Sequence, residues 1–232
     1  MSAKLERICA ELGLSPGAAQ IATLEHYLGL LQRWNAAYNL TAVRDPEAMR
    51  TQHLADCLAV IPPLQRRAGQ GRLLDVGSGG GLPGVVIAVL LPGWDVTCVD
   101  AVAKKAAFVR QVAGALALPN LHAAHARVED LKTQPFDVVT SRAFASLADF
   151  VALTRRHLTL AGAWMAMKGR VPDDEIAALP ADIEVFHVEP LQVPGLGAQR
   201  CLIWMQGRCP GIARPASDPG AQGPHIPGAV SP

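Results

Sequence analysis

Leu73-Leu74-Asp75-Val76-Gly77-Ser78-Gly79-Gly80-Gly81-Leu82-Pro83-Gly84 opens as a short apolar strand carrying one acid and runs straight into a cluster of glycines. Val85–Leu91 then suits a buried helix, closed by Pro92-Gly93. Strand, glycine turn and helix start together let a ligand approach bare backbone. Read literally, Gly79-x-Gly81-x-x-Gly84 also fits the dinucleotide pattern, which alone is a weak signal. Asp75 points elsewhere, because a carboxylate at the strand end would repel a pyrophosphate and suits a ligand with an ammonium and no phosphate. Pro83 stands where helix amides would face phosphate. S-adenosylmethionine fits this turn better than NAD. Gly77, Ser78, Gly79 and Gly81 are the candidate cofactor contacts around it, with a plain tight turn as the alternative.

Downstream, strand and helix alternate. Asp95–Val99 is a second strand ending at Asp100, about 20 residues past the glycines, where an acid bonds ribose hydroxyls in nucleotide-binding folds. Asp100 equally suits a cap for the helix beginning near Val102. Lys104–Ala117 is that helix, stopped at Leu118-Pro119, and a third strand precedes Val128-Glu129. Phe136–Thr140 and Ala163–Met167 are strands flanking a helix over Leu147–Leu158. Ile183–Val188 and Arg200–Met205 are two late strands joined by a short loop. The expectation is an α/β fold: a mostly parallel seven-stranded sheet, helices on both faces, and an antiparallel edge addition.

Upstream, residues 1–65 read as a helical layer packed on a core of 66–206. Gly13 reads as a stop and Ser15-Pro16 as the next N-cap, after which Ile21, Leu24, Leu28, Leu31 and Trp34 share a face. Asp45-Pro46 opens another helix with Met49, His53, Leu54, Cys57, Leu58 and Ile61 on a stripe, and Pro62-Pro63 ends it. Residues 207–232, rich in Pro and Gly, cannot build a core and are expected to be a disordered tail.

The whole chain has 232 residues, Lys+Arg 21 against Asp+Glu 20, a formal net charge of +1, and 50% hydrophobic residues. That balance excludes non-specific coating of polyanions, and 5% aromatic residues argues against a stacking surface for single strands. Cys9, Cys57, Cys98, Cys201 and Cys209 are scattered without CxxC spacing, which argues against a disulfide framework or structural zinc and suits a reducing, cytoplasmic setting. The charged N-terminus and the absence of a long apolar run argue against a signal peptide or a membrane span.

Several blocks together carry a resemblance. Trp34-Asn35-x-x-Tyr38-Asn39-Leu40-Thr41, Arg44-Asp45-Pro46 and His53-x-x-Asp56 precede the glycine loop; Arg127-Val128-Glu129, Ser141-Arg142-Ala143-Phe144-Ala145, Met167-Lys168-Gly169 and Leu191-Gln-Val-Pro194 follow it. The chain thus resembles the bacterial ribosomal small-subunit methyltransferase G family, also called glucose-inhibited division protein B. Gly80 stands where that family more usually has Pro or Ala. The resemblance implies a Rossmann-like class I S-adenosylmethionine methyltransferase acting on N7 of one guanine in the decoding-region loop of 16S ribosomal RNA. Carried over, cofactor contacts fall on Gly77, Leu82, Val128, Glu129 and Arg142.

Guanine N7 bears a lone pair and no proton, so no general base is expected. Arg142 and Lys168 are the cations expected to position RNA phosphate or the guanine; an ion pair of Arg142 with Glu129 or Asp137 is the alternative. Arg127, Lys104-Lys105 and Arg155-Arg156-His157 are weaker phosphate candidates. His53 and Asp56 read as structural rather than metal-binding, and Trp34 and Tyr38 as core. The expected partner is 16S ribosomal RNA or the assembling small subunit, bound by a monomer that needs no metal and no membrane. The alternatives are a small-molecule S-adenosylmethionine methyltransferase, a NAD(P)-dependent oxidoreductase and a non-catalytic nucleotide-binding module.

Overall fold

A computed structural model of the chain describes residues 2–41, 43–142, 144 and 146–208. The N-terminal layer runs α1 (Ser2–Glu11), α2 (Ala18–Tyr38), α3 (Pro46–Met49), a π-helical stretch (Arg50–Ala55), α4 (Asp56–Leu58) and α5 (Ile61–Arg67). The alternating part follows as β1 (Gly71–Val76), α6 (Gly84–Leu90), β2 (Trp94–Asp100), α7 (Ala103–Ala115) and β3 (Leu121–His125). It continues with β4 (Phe136–Ser141), α8 (Leu147–Thr154), β5 (Leu158–Lys168), α9 (Asp173–Ala177), β6 (Ile183–Leu191) and β7 (Arg200–Gly207).

The strands form one seven-stranded sheet in the order β3-β2-β1-β4-β5-β7-β6. All neighbours from β3 to β5 are parallel, while β7 runs antiparallel to β5 and to β6. The late hairpin is thus added at one edge, with β7 the inner strand of the pair.

Side chains alternate across the pleat, so each strand serves two cores. Leu73, Val138, Met165 and Trp204 join one cluster with α6 and α7, whereas Leu74, Val139, Trp164 and Ile203 join another with α8. The helical layer belongs wholly to the first cluster: Ile21, Leu24, Leu28 and Leu31 of α2 are buried beside Val85, Phe108 and Val109. The stripe Met49, His53, Leu54, Cys57, Leu58 and Ile61 is buried as its spacing requires.

Four boundaries differ from the sequence reading. The N-cap of α2 is Gly17, not Ser15: its amide donates to Gln20 Oε1 at 3.0 Å, while its carbonyl accepts from Ile21 at 3.1 Å. Pro62-Pro63 opens α5 instead of ending a helix, because the first turn has no use for their missing N–H groups. The helix expected to reach Leu158 ends at Thr154 in a 3₁₀ turn, and Leu158 already pairs with Phe136 as strand. The tail expected from Gly207 lies, from Cys209 onward, outside the described residues, while Gly207 itself pairs with Ile183 in the hairpin.

Candidate active site

Strand β1 lies between β2 and β4, so the crossovers leave it in opposite directions. In such open sheets a crevice forms beyond the carboxyl ends of the strands at that switch point. Here the glycine turn follows β1, Asp100 closes β2 and Arg142 follows β4.

Gly77, Gly79 and Gly81 have φ of 67°, 56° and 85°, a region that side-chain-bearing residues rarely adopt. The turn is cross-tied: Gly77 N–H donates to Val99 O at 2.9 Å, Gly81 N–H to Ser78 O at 2.8 Å and Leu82 N–H to Ser78 O at 3.0 Å. A Cβ on Gly77 would meet nothing within 4 Å, and one on Gly79 only Gly77 O at 4.0 Å, so both present open backbone. Gly81 and Leu82 differ. A Cβ on Gly81 would come within 2.5 Å of Val85, and the Leu82 side chain is buried in the core, so both fix the turn from beneath. A Cβ on Gly80 would meet the end of Leu31 at 2.9 Å, a side chain that can swing aside.

Asp75 is fully buried, and its Oδ2 accepts from Gly84 N–H at 2.8 Å, tying strand to helix start. Its Oδ1 has no partner among the described residues. Burial, opposed by the Gly84 hydrogen bond, pushes this carboxyl up to about 7. Asp100 uses both oxygens: Oδ2 accepts from Gly79 N–H at 3.0 Å and Oδ1 from Val102 N–H at 2.9 Å. It therefore ties down the chain entering α7, whose N-cap is Val102, and braces the glycine turn from outside. Beside it Val102 is an exposed apolar side chain, which the sequence reading did not single out as a site residue. Val128 is buried in a 3₁₀ turn, its carbonyl 2.7 Å from His157 Nε2, and Glu129 faces outward beside Arg127 at 3.3 Å.

The cations gather in a second place. A cleft of ≈ 380 Å³ is lined by Gln52, His53, Asp56, Arg142, Lys168 and Arg200, among others. The partner of Arg142 is Asp56 (Nη1–Oδ2 3.6 Å), not Glu129 or Asp137; Asp137 instead accepts from the Arg72 amide at 2.9 Å. Arg142 Nη1 also lies 3.2 Å from His53 Nδ1. That Nδ1 lies equally close, at 3.2 Å, to the carbonyl of Gln52, and Nε2 faces Thr41 Oγ1 at 2.5 Å. Burial and then Arg142 hold His53 down to about 4, so it is neutral. Arg200 Nε donates to the other Asp56 oxygen at 2.9 Å. Lys168 Nζ is clasped by both oxygens of Glu175, at 3.0 and 2.8 Å. His53 comes from the π-helical stretch and Asp56 from the α4 turn behind it, so the wide turn delivers the helical layer's share of the cleft.

Other candidates settle apart. Trp34 is half-buried, 5.4 Å from Phe108, but Tyr38, expected in the core, stacks on Trp34 at 4.9 Å and is 47% exposed. The reason is position: Tyr38 ends α2, beyond the last turn that the sheet layer covers. His157 is buried rather than a surface cation, and Arg155 pairs with Asp182 at 2.6 Å. Tyr27 was not anticipated; its hydroxyl donates to Gly80 O at 2.6 Å and pins the turn from the helical layer. Cys9, Cys57, Cys98 and Cys201 are free and buried, and among the described residues no group of three His, Cys, Asp or Glu has metal-binding geometry. No helix among them is long and apolar enough to cross a membrane.

This strand order, with an open glycine turn after β1 and an acid bracing it from β2, defines a Rossmann-like methyltransferase fold. Solved structures agree at the level of fold: a SAM-dependent methyltransferase from Aquifex aeolicus superposes with TM-score 0.52 at 14% identity, over 69% of this chain and 93% of that one. The glycopeptide N-methyltransferase MtfA in complex with S-adenosyl-L-homocysteine superposes with TM-score 0.53 at 13% identity, over 66% of this chain and 90% of its own. A family model described as rRNA small subunit methyltransferase G matches residues 20–203. Two proteins named ribosomal RNA small subunit methyltransferase G are close relatives. The one from Acidovorax ebreus is 62% identical over 84% of this chain and 90% of its own, and that from Leptothrix cholodnii 63% identical over 85% and 91%. The chain belongs to the rRNA small subunit methyltransferase G family.

Proposed function

We propose that the protein transfers the methyl group of S-adenosylmethionine to N7 of a guanine in the decoding-region loop of 16S ribosomal RNA. The observation that carries this reading is a juxtaposition. An open-backbone turn suited to a phosphate-free nucleoside and a cation-lined cleft meet at the carboxyl ends of β1 and β4.

The donor, when bound, supplies an electrophilic methyl on a sulfonium. Gly77 and Gly79 leave room for it against bare backbone, with Ser78, Gly81 and Leu82 fixing the turn's shape. With the donor bound, the unpartnered Asp75 Oδ1 would accept from its ammonium, Asp100 would hold its ribose, and Val102, Val128 and Glu129 would frame its adenine. Arg142 positions the RNA in the cleft, and Lys168, paired with Glu175, stands beside it as a second cation. Guanine N7 has a lone pair and no proton, so alignment and exclusion of water replace proton transfer. His53 fits that: neutral, with both ring nitrogens engaged, it holds Arg142 instead of acting as a base. The reading places the protein in the cytoplasm, working on ribosomal RNA or the assembling subunit as a monomer.

The test is to incubate the protein with labelled donor and either naked small-subunit RNA or assembled subunits, then map the label. Release of label as 7-methylguanine supports the assignment. Donor binding with no label in either substrate refutes it, and labelling of a small molecule alone shifts the protein to the alternative class.

A further inference from the structure

The cleft around Arg142 continues into a second depression of ≈ 850 Å³ lined by residues Lys168–Glu175 and Ala198–Arg200. Lys168, Gly169 and Arg200 line both. A strand that places one nucleotide in the first depression and runs on into the second passes the neighbouring phosphate over that junction. What stands there is chemically uneven. Lys168 is neutralised by two bonds from Glu175. Arg200 uses Nε for Asp56 and Nη1 for the carbonyl of Gln199 at 2.8 Å, and its Nη2 makes no hydrogen bond among the described residues. Asp56 is buried, carries one charge, and shares it between two guanidinia, so the Arg142–Asp56–Arg200 group keeps one net positive charge.

We infer that Arg200, oriented by Asp56, contacts a phosphate of the RNA strand beside the target guanine. This adds a substrate-contacting residue to the proposed reaction and rests on that reading of the site. An arginine is the right donor there, because its planar fork can keep one edge on Asp56 and turn another to a phosphate oxygen. Asp56 is then a positioning residue: it joins the helical layer to β7 and fixes the plane of the Arg200 fork. The sequence gives no local sign of this, since Asp56, Arg142 and Arg200 stand far apart along the chain and only the fold brings them to one carboxylate.

The experiment compares wild type, Arg200→Gln, Arg200→Lys and Asp56→Asn in the full chain. It measures small-subunit RNA binding over a salt series, methyl-transfer kinetics and donor affinity. Arg200→Gln is expected to weaken RNA binding and raise KM for RNA roughly tenfold or more, and to lower the salt slope by about one unit. Donor affinity should hold at the wild-type value, and kcat should change little. Arg200→Lys keeps the charge and should retain the slope, with binding between the other two. Asp56→Asn adds net positive charge, so electrostatics alone would tighten RNA binding; a weaker binding marks lost orientation. An unchanged salt slope and KM in Arg200→Gln overturn the inference, and tighter RNA binding by Asp56→Asn overturns the positioning role. Wild type that binds RNA without methylating it would instead refute the proposed reaction, while the salt slopes still judge Arg200.

Discussion

Gly84→Ala adds one methyl group at the first residue of α6, where an alanine would ordinarily help. The propensity gain is up to about 1 kcal/mol, part of it from a less flexible unfolded chain. The structure reverses the sign. A Cβ on Gly84 would sit 2.4 Å from Cys98 Sγ, 3.0 Å from Asp75 Oδ2 and 3.3 Å from Asp75 Cβ. Carbon and its neighbours pack best at about 3.5–4.0 Å, so α6 must retreat by roughly an ångström or Cys98 and Asp75 must move. Overpacking of this kind costs about 1–3 kcal/mol, and stretching the Gly84 N–H bond to a buried carboxylate adds about 1 kcal/mol or more. The expected net loss is about 2 kcal/mol, which for a chain of this size lowers the melting temperature by roughly 4–8 °C. Cys98→Ala removes the nearest atom, so the double variant should be destabilised by about 1–2 kcal/mol less than the sum of the single changes. Urea unfolding followed by circular dichroism, with donor titration on each variant, measures this. A Gly84→Ala protein as stable as wild type, or an additive double variant, would show that the strand-to-helix contact is looser than the structure has it.

Two further outcomes follow from the charges. Asp75 has a folded pKa of about 7 against an ordinary 3.8, so between those values the folded state holds a proton that the unfolded chain has released. Stability therefore falls as pH rises through that window, and above it the buried charge is carried in full. Asp75→Asn, which keeps an oxygen for Gly84, should erase up to about 4 kcal/mol of this slope; a stability difference from wild type that stays constant from pH 4 to pH 8 refutes it. Glu175→Gln should release Lys168 from its clasp while still accepting from the Leu147 amide, now at 2.8 Å. RNA binding should then steepen by about one unit of salt slope, and an unchanged slope would mean that Lys168 never reaches the RNA.

The glycine turn was legible because its signal is local: an apolar strand, glycines and an acid at the end of the next strand are all contiguous patterns. Proline was misleading because it is two-sided. The ring that stops one helix is equally suited to the first turn of another, and only the tertiary path decides between the two at Pro62-Pro63. The start of α2 went to Gly17 because Gln20 reaches back to its amide, a bond that outweighs the favourable Ser15-Pro16 pattern. The cation-lined cleft was half legible. Arg142 and Lys168 follow strands and could be placed by order alone, but their counter-ions come from elsewhere. Asp56 arrives from the helical layer and Glu175 from α9, and nothing in the spacing of charges along the chain announces either pair. Tyr27 was invisible for the same reason, since its hydroxyl meets a backbone carbonyl rather than a side chain.

The dependence of α2 on α6 and α7 has a consequence for how the protein is made. Ile21, Leu24, Leu28 and Leu31 share their core with Val85, Phe108 and Val109 as well as with α1, so α2 leaves the ribosome before a large part of its cover exists. At ordinary synthesis rates the stretch from Tyr38 to Phe108 takes roughly 4–14 s to appear. During that interval α1 is the one neighbour already available to it, and the glycine turn cannot be pinned before Tyr27 and Gly80 both exist. The glycine turn is thus completed late, and a chain stalled before α7 leaves part of the apolar face of α2 uncovered.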